Sequence, residues 1–242
     1  MALSSLVSAK SAASGNSEIV EAMLNSSSSI STHLETAVQS ISPDKSGGYN
    51  VVASHRNGSL SETHFDAVVI ACPLEFTNIS FTGIPSVANI TRRPFRSWYV
   101  TIVAAERLNP TYFGLDVNAS VPDVIFTSSG ASRNTNWSAI QVLAKAQLPE
   151  WNTTQNIYKI FANSNVTSSI PFLFINPVYD YTHHWPFTFP ELIPIDNSSN
   201  LARFQPIILA PALYYLNSME SVASAMEGSV IAGRNAAMLV TQ

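Results

Sequence analysis

Cysteine and charge are both scarce in this sequence. The 242 residues contain a single cysteine, Cys72, so the chain has neither a disulfide framework of its own nor a cluster of thiolates for a structural metal. Charged residues make up 12% of the chain and the formal net charge is −4. With 12 Lys and Arg and no basic run, the composition argues against nucleic acid as a partner and against anionic lipid.

Long apolar runs and glycine are scarce as well. No stretch of about 18 apolar residues is present, so the sequence predicts no transmembrane segment. The opening MALSSLVSAKSAASG lacks the basic and apolar regions of a signal peptide. The nine glycines do not form the Gly-x-Gly-x-x-Gly turn that seats a dinucleotide diphosphate. The 46% hydrophobic content is that of a globular protein able to bury a core.

Glycosylation acceptor sequences, Asn-x-Ser/Thr, are abundant by contrast. They occur at Asn25, Asn57, Asn78, Asn89, Asn118, Asn136, Asn152, Asn165 and Asn197. Their number favours a glycoprotein of the secretory pathway, lysosome or vacuole over a Ser-rich cytosolic protein. Because no leader accompanies them, we expect that an amino-terminal part, with its signal peptide, is missing from this sequence.

The first eighty residues predict a helix and a small sheet. Helical spacing of apolar residues predicts a helix over residues 15–24, and alternation predicts a strand over 33–41. An Asn57-Gly58 pair between two extended runs predicts a hairpin. The continuous apolar run from Asp66 to Pro73 predicts a strand covered on both faces. We expect this strand to join the other three in one sheet.

The remaining chain predicts a second, sheet-rich domain and a return helix. WYVTIVAAE and DVIFTSS are strand-like, whereas NWSAIQVLAKA fits either a strand or a helix. Residues 170–204, rich in Pro and aromatic residues, show no periodicity and are expected to wrap over the surface in extended form. PIILAPALYYLNSM predicts one short strand that runs directly into a helix over residues 219–240.

The predicted last helix carries unusually small residues on one face. Two rows at i, i+4 spacing are small throughout: Ser221, Ala225, Ser229, Gly233 and Ala237, and beside them Ser224, Gly228, Ala232 and Ala236. Because each glycine costs about 1 kcal/mol inside a helix, we expect something to lie very close to this face. Two interpretations stay open: a flat ligand whose hydroxyls donate to Glu220, or tight packing with Glu220 as a cap.

Other reactive side chains give weaker signals. Adjacent His183 and His184 point in different directions with no third ligand nearby, so we predict no metal site. Cys72, in the expected buried strand, is interpreted as an inert small hydrophobe. The arginines at 92, 93 and 96 would suit a carboxylate or phosphate, but a solvated loop is the preferred interpretation. No general base or other catalytic residue is assigned.

The carboxy-terminal segment YYLNSMESVASAMEGSVIAGRNAAMLV closely resembles the signature of the prenylcysteine oxidase family, also called prenylcysteine or farnesylcysteine lyases. SGNSEIVEAML, AVQSI, FDAVVIACPLEFTNISF, YKIF and PIILAPALYYLNSMES resemble further family segments, so the likeness covers nearly the whole chain. It implies a mixed α/β, two-domain, FAD-binding fold of the amine-oxidase type, here without its amino-terminal Gly-x-Gly-x-x-Gly unit. Residues 1–79 and 205–242 would belong to the FAD-binding domain and residues 80–204 to the substrate domain.

The resemblance also implies a set of FAD contacts, made by Val38, Ala71, Pro73, Glu220, Ala225 and Met226. Glu220 would meet the ribityl or pyrophosphate end, and the backbone N–H groups of Ala225 and Met226 would meet the flavin pyrimidine carbonyl. The backbone of Val38 would lie against the adenine. The strand ending at Ala71 and Pro73 would lie beside the cofactor.

The reaction that the resemblance implies is oxidative cleavage of farnesyl- or geranylgeranyl-cysteine by FAD and O2, giving free cysteine, an isoprenoid aldehyde and hydrogen peroxide. The aromatic stretch from Phe172 to Phe189 would either line an isoprenoid pocket or serve plain packing. Two alternatives stay open: another flavin enzyme of the amine-oxidase type acting on an amine, and a non-catalytic secreted glycoprotein. The missing Gly-rich unit leaves the activity of this chain by itself an open question.

Overall fold

The computed structural model describes residues 15–88, 90–128, 135–196, 198–201 and 203–241. These residues form two compact units, each described here by itself. The first contains residues 15–68 and 78–88, and the second contains residues 69–77 and the described residues from 90 onward. The mixed α/β class expected from the sequence is confirmed. The assignment of residues 1–79, 80–204 and 205–242 to cofactor and substrate domains stays a prediction.

The first unit is built on a four-stranded sheet in the order β3-β2-β1-β5. Its elements are α1 (Ser17–Asn25), β1 (Thr36–Pro43), β2 (Tyr49–His55), β3 (Leu60–Phe65), β5 (Ser80–Phe81) and α2 (Pro85–Ala88). The predicted helix, strand and hairpin are confirmed. At the hairpin, Gly58 takes a left-handed φ of 81° and its N–H donates to the His55 carbonyl at 2.8 Å, a conformation that glycine adopts without steric cost.

The expected buried strand over residues 66–73 is wrong in both length and partner. Only β4 (Val68–Ile70) is extended. It pairs with a strand near the carboxy terminus, Leu213–Tyr215, while β5 supplies the fourth strand of the first sheet. Val69 is 40% exposed and Cys72 is also exposed. Pro73, with its fixed φ of −60°, begins a 3₁₀ turn at Leu74–Phe76 that takes the chain away from the sheet.

The second unit is dominated by an antiparallel five-stranded sheet in the order β10-β6-β9-β8-β7. Its strands are β6 (Phe95–Leu108), β7 (Val124–Phe126), β8 (Trp137–Ala146), β9 (Gln155–Ala162) and β10 (Phe174–Pro190). The ambiguous segment NWSAIQVLAKA is therefore a strand. Val103, Ile160 and Leu173 are 0% exposed and belong to a continuous apolar cluster. This cluster is the main core of the unit.

Strand β10 corrects one part of the prediction for residues 170–204: residues 174–190 are extended and mostly exposed, as expected, but they form a strand of the sheet. After the short helix α3 (Ile170–Leu173), the 17-residue strand β10 runs along β6 and pairs with it from Phe174↔Leu108 to Pro190↔Phe95. The register shifts between Pro177 and Tyr179 and again between Trp185 and Phe189. Proline cannot donate a ladder hydrogen bond, so it is tolerated at bulges and on an outer strand such as this one.

The carboxy-terminal part contains two short strands where one was expected, β11 (Ile208–Ala210) and β12 (Leu213–Tyr215), in a sheet ordered β11-β12-β4. It follows α4 (Ser198–Leu201). A 3₁₀ turn at Asn217–Ser221 then precedes α5 (Met226–Val240), so the expected helix start at residue 219 is wrong. No helix among the described residues is both long enough and apolar enough to cross a membrane.

Candidate cofactor site

A cavity of about 200 Å³ lies where β4 ends beside the start of α5. Its walls come from the end of β4, the 3₁₀ turn after β12 and the first two turns of α5, and its lining residues are Ala71, Leu216, Asn217, Met219, Glu220, Ala223, Gly228, Ser229 and Ala232. Because small residues form the helical wall, the cavity reaches close to the backbone.

Two polar residues of the 3₁₀ turn at Asn217–Ser221, Asn217 and Glu220, line this cavity. The Glu220 side chain is half-buried. The Oδ1 atom of Asn217 is buried and has no hydrogen-bond partner among the described residues. A buried unpaired acceptor costs free energy, so its position beside a cavity suits a ligand that donates a hydrogen bond.

Gly228 shows why the helix wall is made of small residues. A Cβ atom placed there would lie 2.9 Å from the Ala223 carbonyl oxygen and 3.5 Å from Met219 Cε. The close neighbour expected from the sequence is therefore the chain's own turn at this position. At Gly233 no described residue lies within 4 Å of such a Cβ, so packing within the described chain does not explain this glycine.

Helix α5 begins beside the cavity. Ala225 is extended, with φ −148° and ψ 157°, and its carbonyl accepts the Ser229 N–H at 3.1 Å, which starts the helical ladder. The first turn of any helix has N–H groups that its own carbonyls cannot satisfy, and it carries a partial positive charge. A carbonyl or anionic oxygen of a ligand is therefore favoured at this end of α5.

A buried ion pair braces the turn that carries Asn217 and Glu220. Arg93 donates from Nε to Glu75 Oε1 at 2.8 Å and from Nη2 to Oε2 at 3.1 Å, and both side chains are 5% exposed. Its Nη1 atom donates to the Asn217 carbonyl at 2.6 Å and to Ser221 Oγ at 3.3 Å. The guanidinium therefore connects the 3₁₀ turn at Leu74–Phe76, after β4, to the 3₁₀ turn at Asn217–Ser221, before α5.

Tyr215 and Gln205 complete this network. Arg93 Nη2 donates to the Tyr215 hydroxyl at 2.8 Å, and Gln205 Nε2 donates to Glu75 Oε1 at 3.1 Å. Burial alone would raise the pKa of Glu75, but the hydrogen bonds from Arg93 outweigh it and lower the pKa to about 2. Burial raises the pKa of Tyr215 to about 12, against the opposing charge of Arg93. The pair is thus ionised and the phenol protonated throughout the physiological range.

The six residues expected to contact FAD have different positions. Ala71 and Glu220 line the cavity. Ala225 and Met226 lie at the start of α5, both exposed, and Pro73 lies at the 3₁₀ turn after β4. Val38 lies in β1 of the first unit, where it pairs with Ala53. The second unit therefore brings Ala71 and Glu220 to one cavity, and their contacts with FAD stay predictions.

Two interpretations from the sequence need correction. Arg93 as a whole residue is 8% exposed, and its side chain is bound to a carboxylate, so the preferred interpretation of a solvated loop is wrong for this residue. Cys72 is exposed beyond the end of β4, so its expected position in a buried strand is wrong. Its thiol is still partly shielded from solvent, and this desolvation raises the pKa of the thiol. No local pattern indicates Glu75, Gln205 or Tyr215 as members of the network, since the hydrogen bonds that hold them join residues 18 to 130 positions apart.

The adjacent histidines lie in β10 without a metal-binding arrangement. His184 stacks on Tyr99 with ring centroids 4.3 Å apart, and its Nε2 lies 3.0 Å from Ser97 Oγ. Within the part of the chain that the structure covers, no group of three His, Cys, Asp or Glu residues is placed to hold a metal ion. These histidines act as sheet side chains.

Most of the glycosylation acceptors can be located. The exposed ones are Asn25, Asn57, Asn78, Asn118, Asn136, Asn152 and Asn165. Asn89 and Asn197 lie outside the described residues. At Asn165, Oδ1 accepts from the Thr167 backbone N–H at 2.9 Å and from its hydroxyl at 2.7 Å. The side chains available for modification thus lie on the surface of the two units.

Comparison with known families identifies the chain. The family model for prenylcysteine lyase matches residues 1–242. The chain belongs to the prenylcysteine lyase family. This confirms the resemblance drawn from the carboxy-terminal signature, and it places the cavity at Glu220 within a segment that the family model covers.

Individual members of the prenylcysteine lyase family show how much of a relative this chain represents. It is 29% identical over 198 residues to prenylcysteine oxidase 1 of Bos taurus, covering 74% of this chain and 35% of the relative. It is 27% identical over 232 residues to farnesylcysteine lyase of Arabidopsis thaliana, covering 93% of this chain and 41% of the relative. For prenylcysteine oxidase 1 of Mus musculus the identity is 31% over 189 residues, with coverage of 74% and 36%. The chain therefore spans less than half the length of these relatives.

Proposed function

We propose that this protein takes part in FAD-dependent oxidative cleavage of prenylcysteine, and that the cavity at Glu220 holds part of the flavin cofactor. The observation that carries the proposal is the cavity itself, which is formed by the segment with the family signature and has an unpaired acceptor, Asn217 Oδ1, in its lining residues. The printed names of the relatives, prenylcysteine oxidase and farnesylcysteine lyase, support the substrate class.

The residues present fit one portion of FAD. A volume of about 200 Å³ suits a section of so large a cofactor. The Glu220 carboxylate and Asn217 Oδ1 are acceptors for ribityl hydroxyls or a ring N–H, and the first turn of α5 favours a carbonyl oxygen. Gly228 keeps the wall at backbone distance. Acceptors and a helix N-terminus together match the mixed polarity of a flavin edge.

The reaction converts the thioether of prenylcysteine to free cysteine and an isoprenoid aldehyde, with water as the source of the aldehyde oxygen. When bound, FAD supplies the hydride acceptor and returns the electrons to O2, which leaves as hydrogen peroxide. The protein's part is orientation. Glu220 and Asn217 hold hydrogen-bond donors of the ligand in place, and the Arg93–Glu75 pair fixes the turn that carries them.

An aromatic cluster supplies the apolar surface that an isoprenoid chain requires. The rings of Phe76 and Phe187 are 4.3 Å apart, and those of Phe76 and Phe95 are 4.7 Å apart. Phe76 is 46% exposed and Phe187 is 59% exposed, so both offer ring surface for a ligand. This cluster supports the proposal that the aromatic stretch of β10 meets the prenyl group.

The proposed location is the secretory pathway, with the lysosome or vacuole as destination. The exposure of all the acceptor asparagines that the structure describes supports this proposal, because an oligosaccharide can attach only to an accessible side chain. O2 and a small prenylated amino acid are the proposed reaction partners.

The experiment is expression of the chain in a eukaryotic secretory host behind a supplied signal peptide, followed by an absorption spectrum between about 350 and 500 nm, where bound flavin absorbs. We expect FAD to bind, either to this chain alone or once the family's Gly-rich strand and helix are joined to it. Glu220→Ala is expected to weaken FAD binding about tenfold, because a hydrogen bond to a charged acceptor is lost.

The matched control is Glu62→Ala, which removes an exposed carboxylate in β3 that does not line the cavity and should leave FAD affinity unchanged. Peroxide release is then compared between farnesylcysteine and benzylamine. Turnover of the amine alone would favour a different flavin oxidase, and a colourless protein in both forms would favour a non-catalytic glycoprotein.

A further inference from the structure

A second groove, of about 560 Å³, lies around the loop between β8 and β9 and has an acceptor-rich lining. Glu106 and Glu150 contribute carboxylates, Trp151 contributes an indole, and Gln155 lies at the start of β9. Asn152 and Thr153, the first two residues of an acceptor sequence, also lie in this lining. A sugar attached to Asn152 would therefore begin inside the groove.

Gln155 gives independent evidence for a ligand with donor groups. It is 3% exposed, and its Nε2 atom donates to Thr153 Oγ1 at 2.9 Å. Its Oε1 atom is buried with no partner among the residues that the structure describes. Glu106 has a partner in Asn176, whose Nδ2 donates to Oε2 at 2.7 Å. The groove is therefore lined by two carboxylate residues and by Gln155, whose buried amide oxygen has no partner among the described residues.

The chemistry of a hexosamine matches this lining. Its hydroxyls and N-acetyl N–H are hydrogen-bond donors, which carboxylates and an amide oxygen accept. Its apolar C–H face suits packing against an indole. We infer that the first sugar of a glycan on Asn152 lies in this groove against Trp151, so that the glycan is part of the folded surface. This inference rests on the glycosylation proposed above.

The test uses the glycosylated protein from a eukaryotic secretory host, with occupancy of each acceptor asparagine measured by mass spectrometry of peptides. The exposure of Trp151 is measured by acrylamide quenching, as the difference between each protein and the same protein with Trp151→Phe. We expect Asn152→Gln and Thr154→Ala, which remove the same glycan by different routes, to lose the protection of Trp151. Thr154→Ser retains the acceptor sequence and should retain the protection.

Enzymatic trimming sharpens the assignment to the first sugar. An endoglycosidase that leaves one sugar on each asparagine should preserve the protection of Trp151, whereas complete removal should abolish it. Asn118→Gln removes a different exposed acceptor and serves as the control, with no change expected. On the native protein, complete removal is also expected to be slower at Asn152 than at Asn118.

Three outcomes would overturn the inference. One is an occupied Asn152 with equal quenching in all variants and equal release rates. Another is occupancy at other asparagines while Asn152 stays bare, which leaves the secretory proposal intact. A third is a chain without glycan at any acceptor, which overturns the proposed glycosylation and this inference together.

Discussion

The five-stranded sheet and the cavity at Glu220 belong to the same compact unit, yet different forces hold them. The sheet encloses an apolar cluster that includes Val103, Ile160 and Leu173, all 0% exposed. The turn beside the cavity is held by an ion pair and its hydrogen bonds. A wall that leaves room for a ligand cannot be fixed by filling the space with apolar side chains. Charge-assisted hydrogen bonds fix it instead.

Breaking the ion pair tests this comparison most strongly. Glu75→Gln removes the carboxylate and leaves Arg93 as an uncompensated buried charge, which is expected to cost about 3–5 kcal/mol of unfolding free energy. The four tryptophans lie in the second unit, so their fluorescence during urea denaturation reports its unfolding. The control is Glu191→Gln in the exposed pair with Arg96, where less than about 1 kcal/mol is expected. Equal effects of the two changes would contradict the bracing role.

Truncation in the sheet tests the other side of the comparison. Ile160→Ala leaves a cavity in a fully buried position and is expected to lower the unfolding free energy by about 3 kcal/mol. Leu143→Ala, at a position 46% exposed in the neighbouring strand, should change it by less than about 0.5 kcal/mol. FAD affinity is expected to stay unchanged in both variants. A selective loss of FAD binding by Ile160→Ala would show that the sheet core also shapes the cavity.

Acid should weaken the brace while leaving the apolar core intact. The pKa of Glu75 is lowered from 4.5 to about 2, so its stabilising contribution is complete above pH 4.5 and is lost as the pH falls towards 2. We expect a loss of between about 2 and 3 kcal/mol across this window in the native sequence. Comparison with Glu75→Gln isolates the effect, because Asp44, whose pKa is also lowered to about 2, mainly by a side-chain hydrogen bond from Ser46, is present in both proteins. Parallel pH curves for the two proteins would rule out this contribution.

The two glycines of α5 offer the smallest and most local contrast. Gly233→Ala adds a methyl group in open space and should stabilise the helix by about 1 kcal/mol. Gly228→Ala brings its methyl group to 2.9 Å from a backbone oxygen, so the turn or the helix must shift. We expect a loss of about 1 kcal/mol and weaker FAD binding. A stabilising Gly228→Ala with normal FAD binding would show that the close approach is dispensable.

The sequence predicted local features well and distant pairings badly. Helix α1, the Asn57-Gly58 hairpin and the strands around Trp98 and Val124 depend on spacing within ten residues or so, and their patterns indicated them. Strand β10 did not follow any period, because its conformation is imposed by pairing with β6, whose partner residues lie 66 to 95 positions earlier in the chain. The family signature identified Ala71 and Glu220 as candidates, and the structure places both in one cavity.

The late start of α5 has a similar physical origin. The small residues from Ser221 onward are compatible with a helix that begins at residue 219. In the folded protein the Asn217 carbonyl accepts from Arg93 Nη1 at 2.6 Å, and the Ser221 carbonyl accepts from the Ile193 N–H at 2.9 Å. The Ile193 donor therefore satisfies the Ser221 oxygen, which a helical ladder from residue 219 would use, and Arg93 holds the start of the turn. No local pattern predicts such donors, so neither the turn nor the buried state of Arg93 was foreseeable.

The position of β10 at the rim of its sheet also bears on how copies of the protein meet one another. Among the described residues β10 pairs along one edge only, and the unpaired edge of a 17-residue strand is a template on which another chain can add a strand and begin to aggregate. Pro177, Pro186 and Pro190 each remove an N–H donor from that template, and the two register shifts twist its edge. The irregularity that hid this strand from sequence analysis therefore discourages edge-to-edge association at high concentration.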